Sequence, residues 1–403
     1  MNIAIVASDA IGSETIDNSD LSAQRAHLVA VARELGRTHR VTVYARLDSP
    51  DRRHKTRLAQ GVTLELLPAG PPETLAEDGV LPYVKDLSAE LTSRWHAERP
   101  DVIHAHSWAG GLAAVAGADG LDIPIIQTLP RLRRQARPRP ARRGKAEHDA
   151  AARVRLARAI GRTASAVIAG CGDEAAALIR MGVPRGNITV VPCGLDIERF
   201  RRTGPAAQRG KRPRLLHVGG LSLESGAPTA VRALEGIPDA ELVLVGGPEP
   251  SALENDPDVH RLRMLAKESG VEDRVSVLGQ VPAANVPKLV RSADVVLSLP
   301  DDAGAGVVAL QAMACGVPVI ASAAGAHLDS VLDGVTGLLV PPRRPALTSR
   351  LARELLADPT KRSALGFAGA DRVRSRYSYE RIGQELLRVY EEAMEGSRVA
   401  ALV

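Results

Sequence analysis

Three short stretches of this chain combine residue types that can hold a charged or hydroxylated ligand. The first is Pro300-Asp-Asp-Ala-Gly-Ala-Gly306, which follows an apolar run and precedes a helical pattern starting near Val307. Gly304 and Gly306 let a ligand come close to the main chain. The unpaired N–H groups of the first helical turn, at Val307 and Val308, suit a phosphate. Gln311 lies on the same helix and offers one acceptor oxygen and two donor hydrogens. The second stretch is His217-Val-Gly-Gly-Leu-Ser-Leu-Glu-Ser-Gly226, again between a strand and a helix, with Gly219, Gly220 and Ser225 as candidate contacts. It lacks the Gly-x-Gly-x-x-Gly spacing, which disfavours a nicotinamide cofactor. The third is His104-Ala-His106-Ser-Trp108 at a strand end. The two histidines are read as facing opposite ways, one structural and the other, His106, the candidate catalytic side chain. No acidic or cysteine cluster stands beside them in sequence, so no metal is expected. The first turn, taken alone, is also compatible with a plain strand–helix connection.

Ligands of open α/β sheets bind beyond the carboxyl ends of the strands, so the elements around these stretches matter. In the first half, apolar runs at 2–7, 41–45, 62–67, 101–105, 123–127, 166–170 and 188–191 predict strands. Between the first two, Leu21, Ala26, Leu28, Val31 and Leu35 share one helix face, and Gly36 is a plausible stop. The second half restarts the rhythm with strands at 214–219, 241–246, 274–278, 294–299 and 317–321. Strand, helix, strand at this interval implies right-handed crossovers and parallel sheets. The expected layout is two Rossmann-like α/β domains, at 1–200 and 214–377, joined by an Arg/Gly/Pro-rich linker at 201–213. A length of 403 residues suits two such cores. Aromatic residues are only 2%, so the cores must be built of Val, Leu, Ile and Ala, as buried parallel sheets are. A last helix over 378–396, capped by Ser378, has no strand to cross to and must pack on a domain already built; the first domain is a candidate.

No stretch reaches about 18 apolar residues, and the chain opens on a strand without a basic leader, which together with three scattered cysteines fits a reducing cytoplasm. The net charge of +5 is a local matter. Residues 131–145 carry eight basic side chains and no acidic one, and without them the balance is −3. The stretch is either a solvated loop or a binding element for an acidic small molecule or an anionic membrane face. Nucleic acid is disfavoured because no aromatic residue interleaves for base stacking.

The residues around these sites resemble the family of retaining glycosyltransferases that includes sucrose-phosphate synthase and the inositol-phosphate sugar transferases. The resemblance covers most of the chain. It rests on Val31-Ala-Arg-Glu-Leu35 before Arg40-Val-Thr-Val43, on Pro100-Asp-Val-Ile-His-Ala-His-Ser-Trp108 and on Val190-Val-Pro-Cys-Gly-Leu-Asp-Ile-Glu-Arg-Phe200. It continues through Ala293-Asp-Val-Val296, Gln311-Ala-Met-Ala-Cys-Gly-Val-Pro-Val319 and Asp333-Gly-Val-Thr-Gly-Leu-Leu-Val340. The family implies a GT-B fold, two Rossmann-like domains facing across a cleft, with the final helix crossing back to the first domain. It implies a UDP- or GDP-sugar donor held by the second domain, an acceptor held by the first, no separate cofactor, and retention at the anomeric carbon.

The chain departs from the family pattern at charged positions. Two glycines that usually precede the first helix fall on Ser22 and Ala23, on the acceptor side. The usual Arg and Lys of the first second-domain loop fall on Gly220 and Ser225. The usual glutamates flanking the phosphate turn fall on Ala303, with Asp302 beside it, and on Gln311. Losing one such cation typically lowers the rate about 10²–10³-fold. Arg131, Arg133 and Arg134 are then candidate acceptor-side cations. Three readings follow: a sugar transferase with unusual donor recognition, a catalytically impaired relative that serves a protein partner as a regulatory subunit, or an unrelated binding module that uses the basic stretch.

Overall fold

The computed structural model describes residues 1–7, 20–75, 77–129 and 145–400, with side chains described except at 20–24, 77–78, 145–153 and 398–400. The basic stretch, with Arg131, Arg133 and Arg134, lies outside the described residues apart from the main chain of Lys145. Ser22 and Ala23 are described only as main chain, in the first helix. The chain divides into two compact units. The first takes in the opening strand, Leu28–Pro192 and the chain from Ile382 onward; the second takes in Cys193–Arg381 and the start of the first helix.

The first unit holds β1 (Asn2–Ala7), α1 (Asp20–Leu35), β2 (Arg40–Arg46), β3 (Lys55–Ala59), β4 (Val62–Leu67), α2 (Val84–Ala97), β5 (Val102–His106), α3 (Ser107–Gly117), β6 (Ile125–Thr128), α4 (Lys145–Thr163), β7 (Ala166–Ala169), α5 (Gly172–Arg180) and β8 (Ile188–Val190). Its sheet runs β3-β4-β2-β1-β5-β6-β7-β8 and is parallel except for β3 on β4. Central strands are continuous apolar runs because helices cover both faces. Ile3, Ile5, Val41, Val43, Ile103 and Ile126 are all buried.

The second unit holds β9 (Arg214–Val218), α6 (Ala227–Leu234), β10 (Glu241–Val245), α7 (Pro257–Glu268), β11 (Val275–Gly279), α8 (Val286–Ser292), β12 (Val295–Ser298), α9 (Val307–Ala314), β13 (Val319–Ser322), α10 (His327–Ser330), β14 (Leu338–Val340), α11 (Pro345–Ala357) and α12 (Pro359–Arg376). Its sheet order is β11-β10-β9-β12-β13-β14, all parallel. The last helix, α13 (Tyr379–Ala400), begins with Arg381 N–H donating to Ser378 Oγ at 3.3 Å, the expected cap.

Three details differ from the sequence expectation. The boundary falls at Pro192–Cys193 instead of after residue 200, because Leu195 and Phe200 are buried in the second core and the Leu195 N–H donates to the Tyr377 carbonyl at 2.7 Å. β3 went unseen because Lys-Thr-Arg-Leu-Ala is a largely exposed edge strand with no apolar run. β14 is only three residues long.

Glycines set how α9 sits. A Cβ on Gly366 of α12 would come within 2.1 Å of the Gly316 carbonyl oxygen just past the end of α9, and one on Gly369 within 3.0 Å of Met313. The two helices therefore meet main chain to main chain. Gly366→Ala is expected to push them apart and lower stability by about 1–3 kcal/mol. Gly396→Ala, where nothing lies within 4 Å, is expected to be neutral or slightly stabilising. Paired thermal melts check this; equal melting temperatures would contradict the packing argument.

Candidate functional site

In the second unit the two glycine-rich turns lie side by side at the carboxyl end of the sheet, after the adjacent strands β9 and β12. The Asp301 N–H donates to the Glu224 carbonyl at 2.9 Å, tying one turn to the other. A Cβ on Gly226, whose φ is +88°, would lie 2.2 Å from the Leu299 carbonyl oxygen, so only glycine fits. Gly304 and Gly306 take left-handed backbone, with φ of 48° and 64°. Gly306 caps α9, and its N–H donates to the Ala303 carbonyl at 2.7 Å. Val307 and Val308 follow, half-buried, as the first residues of a helix whose N–H groups have no intrahelical acceptor there.

Gln311 stands one turn further on, on the same face as Val307. A helical side chain leans back over the turn before it, which directs Gln311 toward the α9 N-terminus. Its Oε1 is buried and has no hydrogen-bond partner among the described residues. Buried acceptors in folded proteins are normally paired, so this one lacks a donor.

The other candidates are used locally. The Ser225 hydroxyl donates to the Ser222 carbonyl at 2.7 Å and accepts from the Ala227 N–H at 3.2 Å. The Asp302 carboxylate accepts from the Gly304 N–H at 3.2 Å, inside the turn. Gly219 has a φ of +138°, and a Cβ on Gly220 would meet nothing closer than Ser225 Cβ at 3.8 Å. The His217 ring, buried beneath, donates from Nε2 to the Gly220 carbonyl at 3.2 Å and so orients that peptide. Asp301 is bound by one edge of the Arg343 guanidinium, with Nε at 2.9 and 3.0 Å from its two oxygens and Nη2 donating to one of them.

Sequence reasoning missed His327, which lies against the Gly304–Gly306 turn and is fully buried. Its Nδ1 donates to the Ser322 carbonyl at 3.0 Å, leaving Nε2, 3.2 Å from Ser298 Oγ, as an acceptor. Nothing in the spacing of a lone histidine pointed to it.

In the first unit, His106 ends β5, pairs in register with Thr128 of β6, and precedes Ser107, whose φ of +66° is strained for a residue with a side chain. Gln127 Nε2 donates to the Ser107 carbonyl at 2.8 Å and to the Thr128 carbonyl at 2.7 Å, holding the turn. The expectation that His104 and His106 face opposite ways is wrong. Residues two apart on a strand share a face, and the two rings lie 4.2 Å apart between centroids. His104 is buried beneath, bonded to Thr128 Oγ1 and to the Tyr390 hydroxyl. Among the described residues no group of three or more His, Cys, Asp or Glu is placed to hold a metal ion, and no helix is long and apolar enough to cross a membrane.

Residues 22–194 match the glycosyl transferase 4-like domain and residues 201–372 match glycosyl transferases group 1. The D-inositol 3-phosphate glycosyltransferase of Xylanimonas cellulosilytica is 30% identical across 93% of this chain and 92% of its own. The chain belongs to this glycosyltransferase family. The corresponding enzyme of Acidothermus cellulolyticus is also 30% identical, over 99% of this glycosyltransferase and 92% of its own chain. Sucrose-phosphate synthase from Thermosynechococcus elongatus superimposes with a TM-score of 0.83 at 24% identity, covering 98% of this chain and 99% of its own. HepE from Anabaena, solved with UDP and glucose, gives 0.72 at 19% identity, covering 97% and 100%. The fold of this glycosyltransferase is thus the expected GT-B one, built from two parallel-sheet α/β domains.

Burial lowers the His327 pKa to about 4, with the Ser322 carbonyl and Asp302 opposing only in part. An unfolded histidine titrates near pH 6.5. Between about 6.5 and 4 the unfolded chain therefore binds the extra proton, so His327 favours folding fully above pH 6.5 and loses that contribution as pH falls toward 4. The slope is about 1.4 kcal/mol per pH unit. His327→Gln is expected to flatten the dependence of the urea midpoint on pH between 7 and 4.5; parallel curves for the two proteins would refute it.

Proposed function

We propose that this chain is an active glycosyltransferase that takes a sugar from a nucleotide sugar and passes it to an acidic acceptor with retention of anomeric configuration. The observation that carries the reading is Gln311 Oε1, buried without a donor beside the bare N-terminus of α9. A ribose hydroxyl supplies the missing donor. The diphosphate then lies along Gly304, Gly306 and the N–H groups of Val307 and Val308, and Gly219 and Gly220 allow it close to the β9 loop. The HepE structures with UDP and with UDP-glucose support trying a UDP-sugar first, ahead of a GDP-sugar.

In the reaction, the bond between the anomeric carbon and the phosphate oxygen breaks. The acceptor oxygen bonds to that carbon on the same face, and its proton passes to the departing phosphate oxygen. No large general base is required, and the helix dipole stabilises the charge that develops. His106 is assigned a polar contact to the transferred sugar. The relatives' names support a phosphorylated polyol such as inositol 3-phosphate as acceptor. Arg131, Arg133 and Arg134 are assigned to its phosphate, and Ser22 and Ala23 to the acceptor side. The reading invokes no metal.

Calorimetric titration with UDP, GDP and ADP tests the donor site, and binding at micromolar Kd is expected for UDP. No heat with any of the three favours the second reading, a regulatory relative, to which the uncharged Gly220 and Ser225 lend weight. Gln311→Leu is expected to weaken UDP binding about 3–10-fold and to leave pyrophosphate, which has no ribose, unaffected. Equal losses for both ligands would remove Gln311 from the site. Gly220→Arg combined with Ser225→Lys is expected to raise kcat by about 10²-fold. An unchanged rate would mean that the diphosphate does not pass these residues.

A further inference from the structure

We infer that Thr128 is a substrate-binding hydroxyl of the first unit, held as a one-way hydrogen-bond donor by Tyr390 of the last helix acting through His104. Tyr390 is fully buried, and its hydroxyl oxygen lies 2.7 Å from His104 Nδ1. Among the described residues that hydroxyl has no other partner. Burial pushes the phenol pKa up, so the group keeps its proton. A buried O–H that does not donate is costly, and Nδ1 is the acceptor within reach.

The polarity of the chain then follows. A neutral imidazole that accepts at Nδ1 carries its hydrogen on Nε2. Nε2 lies 2.8 Å from Thr128 Oγ1, so the ring donates to Thr128. The reverse arrangement, with Nδ1–H pointing at the phenol, strands the Tyr390 hydrogen in the core. A doubly protonated ring strands it too, and adds a buried charge to a side chain that is 2% exposed.

Thr128 is thus left with one hydrogen to donate. Among the described residues its hydroxyl has no partner other than His104. It is half-buried at the last residue of β6, opposite His106 in register, at the carboxyl end of a parallel sheet where ligands of such folds bind. With one lone pair taken by His104, the hydroxyl hydrogen is directed away from the ring and is free for an oxygen lone pair. That suits a phosphoryl or hydroxyl oxygen of the acceptor. Only the naming of the ligand as acceptor rests on the transferase reading. Tyr390 and His104 are positioning residues: neither needs to touch the ligand.

Two measurements test this. In full-length protein labelled with [15N]histidine, the His104 resonances, assigned by their loss in His104→Asn, are expected to show hydrogen on Nε2 and none on Nδ1. Hydrogen on Nδ1, or on both nitrogens, overturns the polarity whether or not the protein transfers a sugar. Calorimetry with inositol 3-phosphate and inorganic phosphate then reads the role of Thr128. Thr128→Val is expected to weaken binding about 3–10-fold, and Thr128→Ser to recover most of the loss. Tyr390→Phe is expected to weaken binding in the wild-type background and to add nothing in Thr128→Val. Unchanged binding in Thr128→Val, an additive effect of Tyr390→Phe, or a wild-type chain that binds neither probe overturns the proposal. UDP titrations and sugar-transfer assays on the same samples report separately on the transferase reading.

Discussion

In the second unit, main chain touches main chain at points where no side chain fits. Gly226 lies against the Leu299 carbonyl, Gly246 against that of Gly219, and Gly366 against that of Gly316. These contacts hold the β9 loop, the β12 loop and the end of α9 in fixed relation. A methyl group at any of them would force a displacement, because closely packed interiors do not deform continuously. The rest of the candidate donor site is built on this spacing: the bare helix start, the left-handed turn before it, and the Gln311 carboxamide set back by one turn.

The proposed donor site handles charge with peptides. In the related pattern, an Arg and a Lys neutralise the diphosphate. Here those positions are glycine and serine, and the serine is spent inside its own loop. The nearby Asp301 is matched by Arg343, so it does not repel an anion at close range. What remains is a set of oriented N–H dipoles. They attract less strongly than a guanidinium, but they are already in place and have no side-chain freedom to lose.

Much of this was legible in the sequence, for identifiable reasons. Central strands such as Ile3–Ala7 and the run Val295–Leu297 are apolar throughout because both faces are covered, and that pattern survives in one dimension. The turn at 300–306 could be read from glycines standing between a strand and a helix. β3 could not, since an exposed edge strand has no apolar pattern to show. The histidine pair was misread against the strand's own period of two. The Tyr390–His104 bond was out of reach altogether: its partners are 286 residues apart, and neither residue type announces the other. Gln311 was recognisable by position, but its unpaired oxygen only became visible once the neighbours were known.

The last helix also bears on synthesis. Polypeptides emerge from the ribosome N-terminus first, and domains generally fold as they appear. The first unit cannot follow that schedule to completion, because part of its buried structure, Tyr390 among it, is translated only after the whole second unit. Until then His104 has one partner fewer and the face that α13 covers is open. A ribosome that stops short of Ile382 therefore releases a chain whose second unit can close while its first remains unfinished and prone to aggregate.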